Sequence, residues 1–124
     1  MNQWTTEDAR AIAAPDEVRL ATRRGDGGLR SPRTIWIVRH DDRVFVRSTN
    51  GRAADWFRAT TATSAGQVRA GGAAYDVAFT EITDEKDLVL VDAAYRAKYG
   101  RYASIVDHLE EAGPRAATLE VHPA

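Results

Sequence analysis

With 124 residues, 44% of them hydrophobic and 28% charged, the chain has the size and composition of one globular domain, which we place at residues 1–124. No apolar stretch approaches the ~20 residues that cross a bilayer, and the N-terminal residues lack the basic and apolar regions of a signal peptide. We therefore expect a cytoplasmic protein that does not enter membranes. The sequence contains no cysteine, which excludes disulfides, thiolate metal sites and a cysteine nucleophile.

Positive charge is concentrated in the middle of the sequence. Residues 19–69 carry eleven arginines against four acidic residues, although the whole chain has a net charge of −1. Of the 17 basic residues, 15 are arginine. Arginine forms paired hydrogen bonds with phosphate or carboxylate groups, so this segment is the candidate region for binding an anion. Codon bias in a GC-rich genome is the other explanation for the arginine content.

The first part of the chain predicts a helix and three strands. Thr5 and Asp8 have the spacing of a helix N-terminal cap, and Pro15 ends this helix. Period-2 alternation of side chains then predicts strands at residues 17–23, 29–40 and 43–48.

Residues 34–58 are the most informative segment. Asp41 and Asp42 predict a two-residue hairpin between the second and third strands, and a helix is predicted to begin at Arg52. The polar loop at residues 48–51 precedes that helix. Backbone N–H groups at a helix N-terminus lack partners and the helix dipole favours negative charge, so the loop is a candidate anion site. The alternative is that its side chains only cap the helix.

The rest of the chain predicts three more strands and two helices, after a loop at residues 60–66. The strands are predicted at residues 67–70, 74–82 and 116–121, and the helices at residues 84–99 and 102–112. Three consecutive antiparallel strands argue against an alternating βαβ fold. The pattern predicts an α+β protein with a small, six-stranded antiparallel barrel and helices at its edges.

Histidine and tyrosine side chains are further candidates for chemistry. The three histidines lie on different predicted elements without metal-ligand spacing, which favours surface positions. Tyr95 and Tyr99 share one face of a predicted helix, with Arg96 and Lys98 beside them. This helix either forms a basic and aromatic lip over a ligand or packs its tyrosines against the barrel.

Several local patterns together resemble the split-barrel superfamily of flavin and deazaflavin oxidoreductases, which includes the pyridoxamine-phosphate oxidases. More narrowly, the chain is similar to an uncharacterised bacterial single-domain branch of it. The resemblance is carried by residues 20–24, 27–30, 34–38, 44–48, 50–51, 56–58 and 93–100.

This resemblance implies a six-stranded antiparallel split β-barrel and a homodimer that holds FMN or a deazaflavin coenzyme between its subunits. The implied positions lie at the end of the third strand and the following helix, on the neighbouring strand and on aromatic walls. They are Arg47, Ser48, Asn50, Gly51 and Arg52 for the phosphate, with Arg33 beside them, and Trp36 or Trp56 for the flat ring. The helix pattern itself, not the resemblance, adds Lys98 and Tyr99 as candidate contacts on the lip. The chain departs from many relatives because residues 1–85 contain no lysine, so a descendant without a cofactor is also considered.

Two functions follow as hypotheses. The first is a small FMN- or deazaflavin-dependent oxidoreductase, in which the cofactor carries the redox chemistry and no catalytic side chain is identified. The second is a non-enzymatic split-barrel protein that binds another anionic or planar small molecule. Nucleic-acid binding is disfavoured because no recognised motif is present and the chain is acidic overall.

Overall fold

Seven strands and five helices are formed by residues 2–124, the part of the chain that the computed structural model describes. The strands are β1 (Val18–Thr22), β2 (Arg33–Ile35), β3 (Val38–His40), β4 (Arg43–Arg47), β5 (Ala65–Ala70), β6 (Ala73–Glu81) and β7 (Thr118–Pro123). The helices are α1 (Thr6–Ala13), α2 (Asp55–Thr63), α3 (Glu85–Tyr99), α4 (Ala103–Leu109) and α5 (Ala112–Arg115), and a 3-10 turn (Gly51–Ala53) precedes α2. None of these helices is long and apolar enough to cross a bilayer.

All seven strands form one antiparallel sheet in the order β2-β1-β5-β6-β7-β4-β3. Its two edge strands, β2 and β3, are separated in sequence only by Trp36 and Ile37. In a flat sheet the two edges would lie ~29 Å apart, since neighbouring strands are spaced by ~4.8 Å. The three Cα steps from Ile35 to Val38 span at most ~11 Å. The sheet therefore has to curl until its edges approach each other, which produces an open barrel with a seam between β2 and β3.

The predicted α+β class and antiparallel barrel are confirmed, but the predicted number of six strands is wrong. The single strand expected over residues 29–40 is divided, because residues 30–32 belong to no strand and β2 and β3 lie at opposite edges. Trp36 and Ile37 continue the apolar pattern and neither is a turn-forming residue. The alternation of apolar and polar residues therefore did not indicate the break between β2 and β3.

Two other predicted boundaries are also wrong. Helix α2 continues to Thr63 through residues expected to form a loop, and β5 begins at Ala65. The hydroxyls of Thr60 and Thr61 donate to carbonyl oxygens of the preceding helical turn, which satisfies side chains that usually weaken helices. The helix predicted at residues 102–112 is two helices, α4 and α5.

The hairpin predicted at Asp41 and Asp42 is confirmed. His40 pairs with Arg43 across it, and Asp41 has a φ angle of 51°, in the left-handed region that two-residue hairpin turns use. On its other side β4 pairs with β7, so β4 is an interior strand of the sheet.

Apolar side chains form two packed clusters, one on each face of β4. Val44 and Val46 belong to the first cluster, together with residues of α1 and of the other long strands. Phe45 belongs to the second cluster, which lies under α3 and α4 and includes Tyr95 and Tyr99. The barrel interior and the α3–α4 layer are thus the two partners that a strand with two apolar faces requires.

The C-terminal end of α3 closes the seam between the edge strands. The Tyr99 hydroxyl donates to the carbonyl oxygen of Asp16 at 2.6 Å and accepts a hydrogen bond from the Ile37 amide at 3.2 Å. The Trp36 ring stacks on the Tyr99 ring, with 3.9 Å between their centroids. Tyr99 therefore fixes both residues of the link that connects β2 to β3.

We predict that Tyr99→Phe lowers the free energy of unfolding by ~1–3 kcal/mol, because the buried Ile37 amide loses its partner. Urea denaturation would measure the change. Tyr75→Phe is the matched control, since the Tyr75 hydroxyl bonds to no residue among residues 2–124. Equal effects of the two substitutions would contradict the role assigned to Tyr99.

Candidate functional site

Arg47, the central residue of the predicted phosphate site, is held by the protein itself. Its side chain is 0% exposed and forms an ion pair with Asp92. Its Nε donates to the Thr118 hydroxyl at 2.8 Å and one terminal nitrogen donates to the Leu109 carbonyl at 3.0 Å. A longer contact of 3.4 Å joins the other terminal nitrogen to the Leu88 carbonyl. Most of the five N–H groups of Arg47 are therefore already bonded within the fold.

The ion pair of Arg47 extends into a chain of charges that reaches the surface. Asp92 also accepts from the Nε of Arg115 at 3.1 Å, and Arg115 pairs with the exposed Glu85 at 2.7 Å. The hydrogen bond from Arg115 holds the pKa of the Glu85 carboxyl below its ordinary value. This chain neutralises a buried guanidinium, which would otherwise be strongly destabilising.

Arg52 shares none of the partners of Arg47. It pairs with Glu81 and donates to the Ala116 carbonyl at 3.0 Å, and the Glu81 hydrogen bond raises its pKa. The prediction that α2 begins at Arg52 is wrong, because the helix begins at Asp55 after the 3-10 turn. The acidic Asp55 occupies the first turn, where the helix dipole favours negative charge.

The three remaining residues of the predicted loop are divided between surface and interior. Asn50 is exposed, whereas Ser48 is buried and its hydroxyl has no partner among residues 2–124. Gly51 has a φ angle of 69°, and a Cβ atom there would lie 3.3 Å from the Gly113 carbonyl oxygen. The 3-10 turn and Ala54 separate residues 48–50 from the N-terminus of α2, so the helix-dipole argument for an anion at residues 48–51 does not apply.

Lys98, predicted at the ligand lip, bonds to the backbone instead. Its ammonium group donates to the carbonyl oxygens of Ala13, Pro15 and Ile37 at 2.6–2.8 Å. Burial lowers its pKa to about 8, while three carbonyl acceptors suit the three protons of the charged form. Like Tyr99, Lys98 joins α3 to the link between the edge strands.

Arg33 and Trp56 lie together in an open groove of about 760 Å³. Three further arginines, which sequence reasoning did not select, line the same groove: Arg24, Arg30 and Arg58. Within residues 2–124, the side chains of these four arginines form no ion pair and no hydrogen bond. The groove thus carries positive charge that the chain does not neutralise.

A tight turn and a helix face bring these arginines together. The Asp26 carboxylate accepts from the Gly28 amide at 2.9 Å, and the Arg24 amide donates to the Gly28 carbonyl at 2.7 Å. This turn lies between Arg24 and Arg30, which both line the groove. Helix α2 contributes Trp56 and Arg58 to the same lining.

The groove has the chemistry of an anion-binding site. Asp55 is its one acidic lining residue, and the other polar groups are the hydroxyls of Thr22, Ser31 and Thr61. Guanidinium groups without counter-ions attract phosphate and can bind it through paired hydrogen bonds. The arginine excess over residues 19–69 was the sequence signal for this site, but it did not identify which arginines meet.

A second, smaller cavity of about 340 Å³ adjoins the groove, and we call it the seam cleft. It is lined by Glu17, Thr34, Ile35, Trp36, Arg47, Thr49, Trp56, Tyr95, Ile105 and Leu109. Trp56 lines both the groove and the cleft. The two tryptophans predicted to contact a flat ring are therefore brought to one cavity, of which Arg47 forms part of the wall.

Across residues 2–124, no group of three or more His, Asp and Glu side chains is placed to hold a metal ion. His108 lies next to the predicted loop, with its Nε2 at 2.7 Å from the Thr49 carbonyl oxygen and its Nδ1 at 3.2 Å from Glu111.

The curled sheet, the seam between its edge strands and the helices beside it form a split-barrel fold. More narrowly, residues 8–121 match the model of the family described as "Uncharacterized protein conserved in bacteria (DUF2255)". The chain belongs to this family. Among curated protein sequences, none matches the chain significantly.

Several solved structures share the fold. An F420-H2-dependent reductase superposes with a TM-score of 0.63 at 18% identity, covering 86% of this chain and 94% of that one. The haem storage protein HutZ from Vibrio cholerae gives 0.68 at 14%, covering 100% and 92%. An FAD-binding protein from Mesorhizobium loti gives 0.60 at 16%, covering 94% and 85%. At such identities the likeness shows the fold alone.

We predict that Asp92→Ala lowers the free energy of unfolding by about 3 kcal/mol, because it leaves the buried Arg47 without its counter-ion. Chemical denaturation followed by circular dichroism would measure the loss. Asp107→Ala is the control, also at a helical position, because the Asp107 pair with Arg96 is exposed to solvent and its loss should change stability little. Similar small losses for both variants would show that the Arg47 network is not a stabilising element.

Proposed function

We propose that the protein binds a phosphate-bearing flavin or deazaflavin coenzyme and acts as a small oxidoreductase. The observation that carries the proposal is the groove in which Arg24, Arg30, Arg33 and Arg58 lack counter-ions. A fold that places four arginines together without acidic partners loses stability through their mutual repulsion. A bound anion would relieve that repulsion.

The groove fits the two parts of such a coenzyme. The arginines and the neighbouring hydroxyls would hold its phosphate by charge-assisted hydrogen bonds. Trp56, in the wall of the same groove, offers an aromatic surface to a flat ring system. Arg47 and Arg52 lie outside this proposed phosphate site because Asp92 and Glu81 already neutralise them.

The coenzyme would supply the hydride chemistry, and the chain would supply binding, orientation and positive charge. The names of two proteins with the same fold, an F420-H2-dependent reductase and an FAD-binding protein, support this class of coenzyme. They do not distinguish FMN from a deazaflavin. We also propose that the protein works as a cytoplasmic homodimer, as the family resemblance implies, and sedimentation analysis would test the dimer.

We predict that Arg30→Gln and Arg33→Gln each weaken coenzyme binding by about 10- to 100-fold, because each removes a charge-assisted hydrogen bond of ~1.5–3 kcal/mol. Titration of FMN and of a deazaflavin coenzyme, followed by their fluorescence, would measure the dissociation constants. Arg10→Gln is the matched control, since Arg10 is exposed on α1, outside the groove.

Arg52→Gln separates the groove from the loop at residues 48–52. Unchanged binding in this variant supports the groove, whereas a loss in Arg52→Gln with none in the groove variants would place the phosphate at the loop. If neither coenzyme binds the unmodified protein, the coenzyme assignment is wrong. Binding without reduction or reoxidation of the coenzyme would favour the non-enzymatic binding protein.

A further inference from the structure

An open cavity of about 460 Å³ lies on the face of β1 and β5 that points away from the barrel interior, and we call it the outer cavity. On these strands Leu20 and Val68 pack in the interior cluster, whereas Arg19 and Arg69 are exposed and line the cavity. The two arginines are paired in register across the strands. Side chains directly opposite each other have Cβ atoms ~4.5–5.5 Å apart, and like charges in such positions lower stability.

The fold supplies no counter-ion for this pair of arginines. Within residues 2–124, neither Arg19 nor Arg69 forms an ion pair or a side-chain hydrogen bond. Asp76 lies on the adjacent strand β6, but its carboxylate accepts from Arg23 at 2.9 Å. Arg30 also lines the outer cavity, and no acidic residue in the part of the chain that the structure describes does so. Three guanidinium groups therefore line one cavity without a carboxylate.

The rest of the lining is largely apolar. Leu29 and Pro32 are exposed, Ala21 lies beneath the surface, and all three line the outer cavity. Leu29 is one of the large hydrophobic side chains that the fold leaves 36% exposed. A ligand that covers these side chains removes apolar surface from water. The outer cavity thus offers partners for a negative head group and for a short hydrocarbon group in the same place.

We propose that the outer cavity binds an amphipathic anion, namely a carboxylate that carries a short hydrocarbon group. The carboxylate accepts charge-assisted hydrogen bonds from Arg19 and Arg69 and relieves their repulsion. The hydrocarbon group packs against Leu29 and Pro32. Neither Arg19 nor Arg69 lines the arginine groove, so this second site does not depend on the coenzyme proposed for the groove.

The experiment uses the full chain without coenzyme and three probes. Hexanoate has the charge and the hydrocarbon, hexanamide has the hydrocarbon without the charge, and acetate has the charge with a single methyl group. Nuclear magnetic resonance titration would follow the side-chain amide signals of Gln67, which lines the outer cavity, and of Gln3, which does not and serves as the internal reference. We expect hexanoate to shift the Gln67 signal. Acetate should bind about 10-fold more weakly than hexanoate, the effect of burying two methylene groups.

Arg19→Gln and Arg69→Gln are each expected to weaken hexanoate binding by about 3- to 10-fold, since each removes a charge-assisted hydrogen bond that solvent partly screens. Hexanamide binding should stay unchanged in both variants. Arg10→Gln is the matched control, because Arg10 is exposed on α1 and does not line the outer cavity. Each test substitution removes one of two opposed like charges, so the midpoint of urea denaturation should stay the same or rise.

Four outcomes would overturn the proposal. They are no shift of the Gln67 signal, equal affinity for hexanoate and hexanamide, equal affinity for hexanoate and acetate, and a loss of hexanoate binding in Arg58→Gln with none in Arg19→Gln and Arg69→Gln. The last outcome would place hexanoate in the arginine groove. Because no coenzyme is present and the two test residues lie outside the groove, failure here leaves the coenzyme proposal untouched.

Discussion

The two-residue link between β2 and β3 is the constraint on which the rest of this structure depends. Two strands joined by Trp36 and Ile37 lie at opposite edges of a seven-stranded sheet. Because this link is too short to span a flat sheet of that width, the sheet has to curl. The edges of the resulting barrel meet without pairing. Backbone groups of the link therefore need partners from another element, and the end of α3 supplies them through Lys98 and Tyr99.

This constraint explains why residues that suggest ligand contacts have structural partners. Lys98 and Tyr99 have the basic and aromatic character of a ligand lip, yet their polar atoms bond to backbone groups at the seam. Arg47 has the charge of a phosphate contact, but it lies under α3, where Asp92 is held to receive it. Arg47 at the end of β4 and Lys98 near the end of α3 therefore stabilise the position of α3 over the seam.

Sequence reasoning succeeded where the signal is local. The hairpin at Asp41 and Asp42 and the helix that ends at Tyr99 depend on turn residues, caps and apolar spacing within a few residues, and these are visible in a single chain. The break at Trp36 and Ile37 is imposed by barrel closure, which no local pattern records. In the same way, the charge excess of residues 19–69 identified the basic region. It could not show that Arg47 meets an aspartate 45 residues later, or that Arg24, Arg30, Arg33 and Arg58 meet across one groove.

The side chains that have no partner inside the fold are the ones that point to ligand binding. Most charged and buried polar side chains near the seam are neutralised or hydrogen-bonded within the fold, as consistency between sequence and structure requires. The four arginines of the groove are a charged exception, and the hydroxyls of Ser48 and Tyr95 are buried without a partner among residues 2–124. The arginines lack an anion, and Trp56 forms part of the wall of both their groove and the seam cleft. Guanidinium groups without counter-ions beside an aromatic side chain are the features on which the proposed coenzyme site rests.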